Sequence, residues 1–239
     1  MRHFSLPKDG GLIEENLPKG ILHSFEKINT EIFDDAAIGS DRVADIVVKA
    51  IKDHEKAALP RPFKLGLTTG RTPISLYSNL TRQFKEGKVS FANVEVFSID
   101  EYYPCGSDSI QSRNHRLHDE FLDQVDVRKE NIHIPDGSVS KEEISDYCAE
   151  FDRIARGIDL LVIGVGEGGQ VGFNEAGSTE KSVTRTVPLS YISRKRQAHN
   201  FNGDIAVTRL SGSVSESIRK DRPSKGPPIL SEGRRTSRL

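Results

Sequence analysis

Cysteine is scarce in this chain, and its pattern gives no sign of a disulfide framework. The 239 residues include only Cys105 and Cys148, which do not have CxxC spacing. Without that spacing or a secretory context, a disulfide framework is not expected. We therefore interpret both residues as free thiols.

Long apolar runs are also missing. No stretch of about 18 apolar residues marks a membrane span, and residues 1–9 lack the apolar core of a secretory signal. These absences predict a cytoplasmic protein with no membrane partner.

Neither sign of charge dominates, since 34 Lys and Arg face 35 Asp and Glu, for a net charge of -1. A balanced surface gives no reason to expect nucleic acid or an acidic substrate as partner. The length is that of one large α/β domain rather than two small ones.

Helix-like and strand-like segments alternate along the chain without internal repeats. Apolar positions at helical spacing predict an amphipathic helix over about 36–56. Lys64–Thr68 then has the pattern of a short buried strand. After the tight turn that follows, Thr72 suits an N-cap and Pro73 suits the first helical position of a second helix.

Two more strands are predicted, at about 94–99 and 159–164. Between them, Ser140 and Glu143 have capping-box spacing and should start a helix that ends near Arg156-Gly157. Strands that alternate with helices predict a parallel sheet with helices on both faces, which is an α/β fold.

A glycine-rich loop directly follows the third predicted strand. It runs from Gly164 to Gly172 and ends in Phe173-Asn174-Glu175. Such a loop brings bare backbone amides to the carboxyl edge of a sheet, where α/β folds bind ligands. We expect Glu175 to lie near that edge as well.

The second predicted strand ends in Asp100-Glu101-Tyr102. Carboxylates at neighbouring strand ends can raise one another's pKa, so that one holds a proton while another acts as a base. This pattern suits acid/base chemistry on a sugar. The alternative is that Asp100 and Glu101 only cap or solvate a loop.

The turn Thr69-Gly70-Arg71-Thr72 presents free N–H groups and the positive end of the next helix, which suits a phosphate. It lacks the lysine of a P-loop. The alternative is a well-capped connection without a ligand.

Histidine does not predict a metal site. His115 and His118 are three residues apart, but no third ligand is in view. His133 is interpreted as a packed strand residue. We therefore expect no metal at these histidines.

These segments together resemble the glucosamine-6-phosphate deaminase/isomerase family, from about Ile32 to Phe201. Several ordered blocks carry the resemblance. They are Leu65-Gly66-Leu67-Thr68-Thr69-Gly70-Arg71-Thr72-Pro73, Val89-Ser90-Phe91-Ala92-Asn93-Val94, Phe97-Ser98-Ile99-Asp100-Glu101-Tyr102, Glu130-Asn131-Ile132-His133, Gly157-Ile158-Asp159-Leu160, Gly164-Val165-Gly166 and Gly172-Phe173-Asn174-Glu175.

The resemblance implies a Rossmann-like sheet and the conversion of an amino sugar phosphate, such as glucosamine 6-phosphate, to fructose 6-phosphate and ammonia. It implies that Thr69, Gly70, Arg71 and Thr72 hold the phosphate and that Asp100 carries the proton between C2 and C1. Glu175 would help a histidine to open the sugar ring, and the reaction would need no metal or organic cofactor. Substrate contacts are expected from Gly166 and Gln170. The family is commonly oligomeric, which implies a homo-oligomer.

The glycine loop departs from the family pattern Gly-x-Asp-Gly-His. Gly168 stands at the aspartate position and Gln170 at the histidine position. Because glutamine cannot shuttle a proton, ring opening is expected to suffer. Three alternatives therefore stay open: a sugar-phosphate-binding pseudoenzyme, a regulatory subunit, and a 6-phosphogluconolactonase, which shares the early turn and the glycine loop.

The expected organisation has three parts: an N-terminal extension over 1–34, the sugar-phosphate α/β domain over 35–203, and a basic tail rich in Ser, Gly and Pro over 204–239. The tail offers little apolar surface to offset the entropy of ordering, so disorder is predicted. The C-terminal part of the fold is accordingly expected to be incomplete.

Overall fold

The computed structural model describes residues 31–166, 168–179 and 181–203, and the backbone of 210–213 and 229–230. The helices within these ranges are α1 (Ala36–Lys56), α2 (Ile74–Lys85), α3 (Arg113–Glu120), α4 (Ile144–Ile154) and α5 (Tyr191–Gln197). The strands are β1 (Phe63–Leu67), β2 (Val94–Ser98), β3 (Asp100–Tyr103), β4 (Ile132–His133), β5 (Leu160–Leu161), β6 (Ile163–Gly164), β7 (Arg185–Pro188), β8 (Leu210–Ser213) and β9 (Ile229–Leu230).

Helix α1 has the bounds that the apolar spacing predicts. The Asp35 side chain accepts a hydrogen bond from the N–H of Ala37 at 2.7 Å and so caps the first turn. Val43, Val47 and Ile51 recur at helical spacing and are buried. The helix therefore forms because it has both an N-cap and one continuous apolar face.

The main sheet is parallel, as predicted, with the strand order β4-β2-β1-β5. Strands β5 and β6 follow one another with only Val162 between them. The N–H of Val162 still donates to the carbonyl of Gly66 at 2.9 Å. Beyond that point β6 pairs in parallel with β9.

Helices cover both faces of this sheet because successive strand residues point to opposite faces. Val96 in β2 belongs to an apolar cluster with residues of α1, α2 and α3. Its neighbour Phe97 belongs to a second cluster with Phe151 of α4. Val162 and Leu161 divide between the clusters in the same way. The predicted α/β fold class is confirmed.

Two predicted helix starts need correction. Helix α2 begins at Ile74 with Pro73 as its N-cap, so Thr72 lies in the preceding turn. Helix α4 begins at Ile144, and Ser140 hydrogen-bonds Glu143 across a separate turn before it. The hydrogen bonds between Ser140 and Glu143 stabilise the turn that leads into α4.

A second, antiparallel sheet has the order β3-β8-β7. Strand β8, like β9, comes from the segment 204–239, for which we predict little regular structure. The rest of that tail lies outside the described residues. So do residues 1–30 of the predicted N-terminal extension.

Two predictions about composition can be compared with the structure. Cys105 and Cys148 are both free thiols, as expected. Among the described residues, no helix has the length and apolar character needed to cross a membrane.

Gly137 provides a close backbone approach beneath the end of β3. A Cβ at this position would lie 2.2 Å from the carbonyl oxygen of Tyr102 and 2.3 Å from that of Cys105. The N–H of Cys105 also donates to the carbonyl of Gly137 at 2.8 Å. Only glycine allows these backbones to meet.

We predict that Gly137→Ala lowers the free energy of unfolding by about 3 kcal/mol or more, because backbone atoms have to move. The control is Gly87→Ala, where φ is +68° and nothing lies within 4 Å of the added Cβ. Backbone strain alone should cost about 1–2 kcal/mol there. Urea unfolding measures both. Equal losses of unfolding free energy in the two variants would contradict the close backbone approach at Gly137.

Candidate active site

Three predicted site segments follow neighbouring parallel strands. The turn at Thr69 comes after β1, and Asp100 comes after β2. The glycine loop comes after β6, which follows β5 with only Val162 between them. Since β2, β1 and β5 are adjacent and parallel, their carboxyl ends lie at one edge of the sheet. Open α/β sheets bind ligands at this edge.

Asp100 is the most deeply buried carboxylate at this edge, with 1% of its surface exposed. Its Oδ1 atom has no hydrogen-bond partner among the described residues. Burial raises the pKa of Asp100 above its ordinary value, and the charge of Arg113 works in the opposite direction. A buried carboxylate without a hydrogen bond is poised to take a proton.

Arg113 is the cation beside Asp100, and it was not among the site residues predicted from the sequence. Its Nε lies 3.3 Å from Asp100 Oδ1, and its Nη1 donates to the Thr69 hydroxyl. The guanidinium also packs over the rings of Tyr102 and Phe173, at 5.1 and 4.4 Å from their centroids. Arg113 thus joins the turn after β1 to the carboxylate after β2.

Glu101 fixes the position of Arg113. Its carboxylate accepts hydrogen bonds from the backbone N–H groups of Arg113 and Asn114, each at 2.9 Å. The Ser112 hydroxyl donates to it as well, at 3.2 Å. Burial raises the pKa of Glu101, while these backbone donors lower it. Glu101 therefore holds the start of α3. Of the two interpretations of this carboxylate, acid/base chemistry or capping, the capping interpretation describes its contacts.

One sequence signal points to Arg113. Two consecutive carboxylates at the end of a buried strand need cations or N–H donors nearby. Ser112 is a good N-cap residue followed directly by an arginine, in the first helix after that strand. A search for such a pair would have found Arg113.

The turn after β1 combines half-buried and exposed groups. Thr69, Gly70 and Thr72 are half-buried, and Arg71 is exposed. Gly70 has φ +130°, and a Cβ there would meet nothing within 4 Å. The turn is therefore open to a ligand on the side of Gly70, as a phosphate site requires.

The glycine loop closes on itself through Gln170. The Gln170 side-chain oxygen accepts from the N–H of Gly168 at 3.0 Å, and its backbone carbonyl accepts from the N–H of Gly166 at 2.8 Å. A Cβ on Gly166 would lie 2.3 Å from Gln170 Nε2. The amide thus braces the loop in this structure.

Gly172 brings the loop against Asp100. Its φ is +56°, and a Cβ there would lie 3.1 Å from Asp100 Oδ2. The next residue, Phe173, contacts both Tyr102 and Arg113. The structure therefore brings Thr69, Asp100 and the glycine loop together.

Glu175 is half-buried beyond this loop. Its Oε2 accepts from the N–H of Ser190, the N-cap of α5, at 2.9 Å. Its Oε1 is buried without a hydrogen-bond partner among the described residues, and so is Oδ1 of Asn174. That Glu175 lies in the same cleft as Asp100 stays a prediction.

The histidines have ordinary structural surroundings. His118 pairs with Asp123 at 2.8 Å, and His133 stacks on Phe97 at 4.6 Å between centroids. Within the described residues, no three side chains of His, Cys, Asp or Glu come together as a metal site would need.

Fold and site together define an α/β protein whose candidate ligand site lies at the carboxyl ends of parallel strands. The family described as glucosamine-6-phosphate isomerases/6-phosphogluconolactonase matches residues 34–172, more than half of the chain. The chain belongs to this family.

Individual relatives agree. Glucosamine-6-phosphate isomerase of Candida albicans is 35% identical over 175 residues, which cover 72% of this chain and 68% of the relative. A glucosamine-6-phosphate deaminase-like protein of Bacteroides thetaiotaomicron is 37% identical over 201 residues, covering 83% of this chain and 30% of the relative. The deaminase of Thermoanaerobacter sp. strain X514 is 36% identical over 153 residues, 63% of this chain. The chain spans 58% of that enzyme's length.

Solved structures give the same fold. A monomeric glucosamine-6-phosphate deaminase superposes with a TM-score of 0.69 at 27% identity, over 76% of this chain and 73% of the other. The 6-phosphogluconolactonase of Thermotoga maritima superposes with a TM-score of 0.52 at 21% identity, over 73% and 74% of the two chains. At that identity the second likeness concerns the fold alone. The Rossmann-like architecture implied by the sequence is confirmed.

The role of Glu101 leads to a stability prediction. Glu101→Ala leaves several buried N–H donors unpaired, each worth about 1–3 kcal/mol. The control is Glu150→Ala on α4, which removes an exposed ion pair with Arg153 and no buried hydrogen bond. We expect the first variant to lose far more free energy of unfolding in chemical denaturation. Similar losses would show that Glu101 does not hold α3.

Proposed function

We propose that this chain binds an amino sugar phosphate such as glucosamine 6-phosphate and converts it to fructose 6-phosphate and ammonia. The observation that carries the proposal is the placement of Asp100 beside Arg113 and the open turn at Thr69; Asp100 is buried, and its Oδ1 has no hydrogen-bond partner within the part of the chain that the structure describes. Family membership supports the substrate class.

In this proposal the turn from Thr69 to Thr72 holds the phosphate, with Arg71 at its exposed side. Asp100 takes the proton from C2 of the ring-opened sugar and returns it to C1, while the C1 oxygen gains a proton and the amine loses one, so that C1 carries a hydroxyl and C2 an imine. The resulting imine at C2 is hydrolysed by water, the C–N bond breaks, and ammonia leaves. The pKa of Asp100, raised by burial, suits a base that has to hold the proton between the two carbons.

Ring opening is the slow step that we propose for this chain. Glu175 supplies a carboxylate for it, but Gln170 stands where the family pattern has histidine. The Gln170 amide is occupied with the N–H of Gly168. Because an amide cannot exchange a proton, Gly166 and Gln170 contact the sugar without acting as acid or base.

Asp100→Asn tests the base directly. We expect turnover of glucosamine 6-phosphate to fall by about 100- to 10,000-fold, since the amide cannot accept the C2 proton. Asp108→Asn is the matched control, because Asp108 is exposed on the loop after β3. Ammonia release measures both. Activity of the Asp100 variant equal to that of the control would remove Asp100 from the mechanism.

The pH profile gives a second test. Asp100 works only when ionised, so kcat/KM should fall as pH drops through its pKa, which lies above the ordinary value of about 3.9. Arg113 is the charged neighbour, and Tyr77 and Tyr102 are the titratable neighbours that interact with Asp100. A rate that stays constant to below pH 4 would contradict the assignment.

Restoring the family residues tests the role of Gln170. Gly168→Asp together with Gln170→His should raise turnover, because the imidazole supplies the missing proton exchange. The two changes belong together, since a Cβ at 168 would lie 2.9 Å from Gln170 Oε1. Gln170→Ala is the control that removes the amide without adding a base. An unmodified chain that already turns over at roughly 10 per second would contradict this account.

Competing functions predict different readouts. A pseudoenzyme or regulatory subunit would bind glucosamine 6-phosphate without ammonia release, and a 6-phosphogluconolactonase would hydrolyse the lactone instead. Homo-oligomerisation and a cytoplasmic location stay predictions, which light scattering and cell fractionation test.

A further inference from the structure

Arg113 has an unusual environment for a buried cation. Its side chain is 10% exposed, and the side chain of Asp100 beside it is 2% exposed. Burying a guanidinium is costly unless its donors are used. Among the described residues, the only hydrogen bond from this guanidinium runs from Nη1 to the Thr69 hydroxyl.

Two polar atoms of the pair are left without hydrogen bonds. Nε of Arg113 and Oδ1 of Asp100 lie 3.3 Å apart, but neither has a hydrogen-bond partner among the described residues. Buried polar atoms are nearly always hydrogen-bonded in folded proteins, so each exception needs an explanation, of which a catalytic role or a bound ion is one. Here the unsatisfied atoms lie next to the turn that is open at Gly70.

The surroundings hold the guanidinium in one place. The Glu101 carboxylate binds the backbone of Arg113 at the start of α3. The rings of Tyr102 and Phe173 pack against the guanidinium itself. A side chain positioned in this way loses little further entropy when it binds an anion.

We propose that Arg113 is an anion-binding residue of this site, which together with the turn from Thr69 to Thr72 binds the phosphate group of the substrate. Arginine suits this task because its planar fork of N–H donors matches phosphate oxygens. The inference rests on the proposed function for the identity of the sugar, but not for the binding of phosphate.

Arg113 also determines specificity in this proposal. It lies between the turn and Asp100, so a substrate without phosphate leaves the guanidinium poorly satisfied, whereas a phosphorylated one supplies acceptors. The negative groups facing it are Asp100 and Glu101, and the titratable hydroxyls near it are those of Tyr77 and Tyr102. The pair with Asp100 leaves most of its donors for the ligand.

The test compares Arg113→Met with Arg116→Met in the full chain. Arg116 lies on the same helix, is half-buried and pairs with Glu120 at 3.0 Å. Arg116→Met therefore removes the same charge, but from a side chain that does not touch Thr69 or Asp100. Calorimetry with inorganic phosphate should show at least about tenfold weaker binding for Arg113→Met and little change for Arg116→Met. Arg113→Lys should recover part of the affinity. Equal affinities for Arg113→Met and the unmodified chain would overturn the proposal.

A measurement without substitution covers the case in which Arg113→Met does not fold. The Nε–H signal of Arg113 is followed by NMR in the unmodified chain while inorganic phosphate is added. We expect a saturable shift with the calorimetric affinity, and an unchanged signal at saturating phosphate would overturn the proposal.

The same titrations with glucosamine 6-phosphate separate this proposal from the proposed function. Phosphate binding that depends on Arg113, without binding of the sugar phosphate, supports Arg113 and contradicts the proposed function. Sugar-phosphate binding that is equal in Arg113→Met and in the unmodified chain supports the proposed function and contradicts the role of Arg113. Absence of both kinds of binding overturns both.

Discussion

The buried pair of Asp100 and Arg113 is the interaction on which the candidate site depends. Neither charge is tolerable alone at this depth, because an unpaired buried ion is strongly destabilising. The pair brings together a residue that follows β2 and a residue that begins α3, and Arg113 extends the link to Thr69 after β1. Gly172 then allows the glycine loop to approach the same carboxylate.

The parallel sheet and its helices place this pair where chemistry is possible. Adjacent strands deliver their carboxyl ends to one edge, and the apolar clusters on both faces keep those ends in register. The same burial that stabilises the sheet raises the pKa of Asp100. Burial therefore both stabilises the sheet and shifts the pKa on which the proposed reactivity of Asp100 depends. Glu101 shows the complementary case, since backbone donors surround its carboxylate and give it a structural role.

Local patterns were enough to predict much of this fold. The bounds of α1 followed from its apolar spacing, and β1, β2 and the strand before the glycine loop followed from short apolar runs. Asp100 could be predicted as a site residue because strand ends in α/β folds meet at one edge. For Glu101, capping was one of two alternatives that the sequence left open. The placement of Arg113 beside both Asp100 and Thr69 could not be predicted, since it depends on contacts made only after folding. Arg113 and Thr69 are 44 residues apart in sequence. The starts of α2 and α4 were also displaced. At α4 the reason is that a polar residue before a helix can stabilise either its end or the preceding turn.

The central claim is that an anionic sugar binds between the turn at Thr69 and the pair of Asp100 and Arg113. Calorimetry of the unmodified chain with glucosamine 6-phosphate and with unphosphorylated glucosamine tests it most directly. The account predicts that the phosphorylated sugar binds at least about 100-fold more tightly, because charge-assisted hydrogen bonds to phosphate are the strong ones. Equal affinity for the two sugars, or no binding of either, would contradict it.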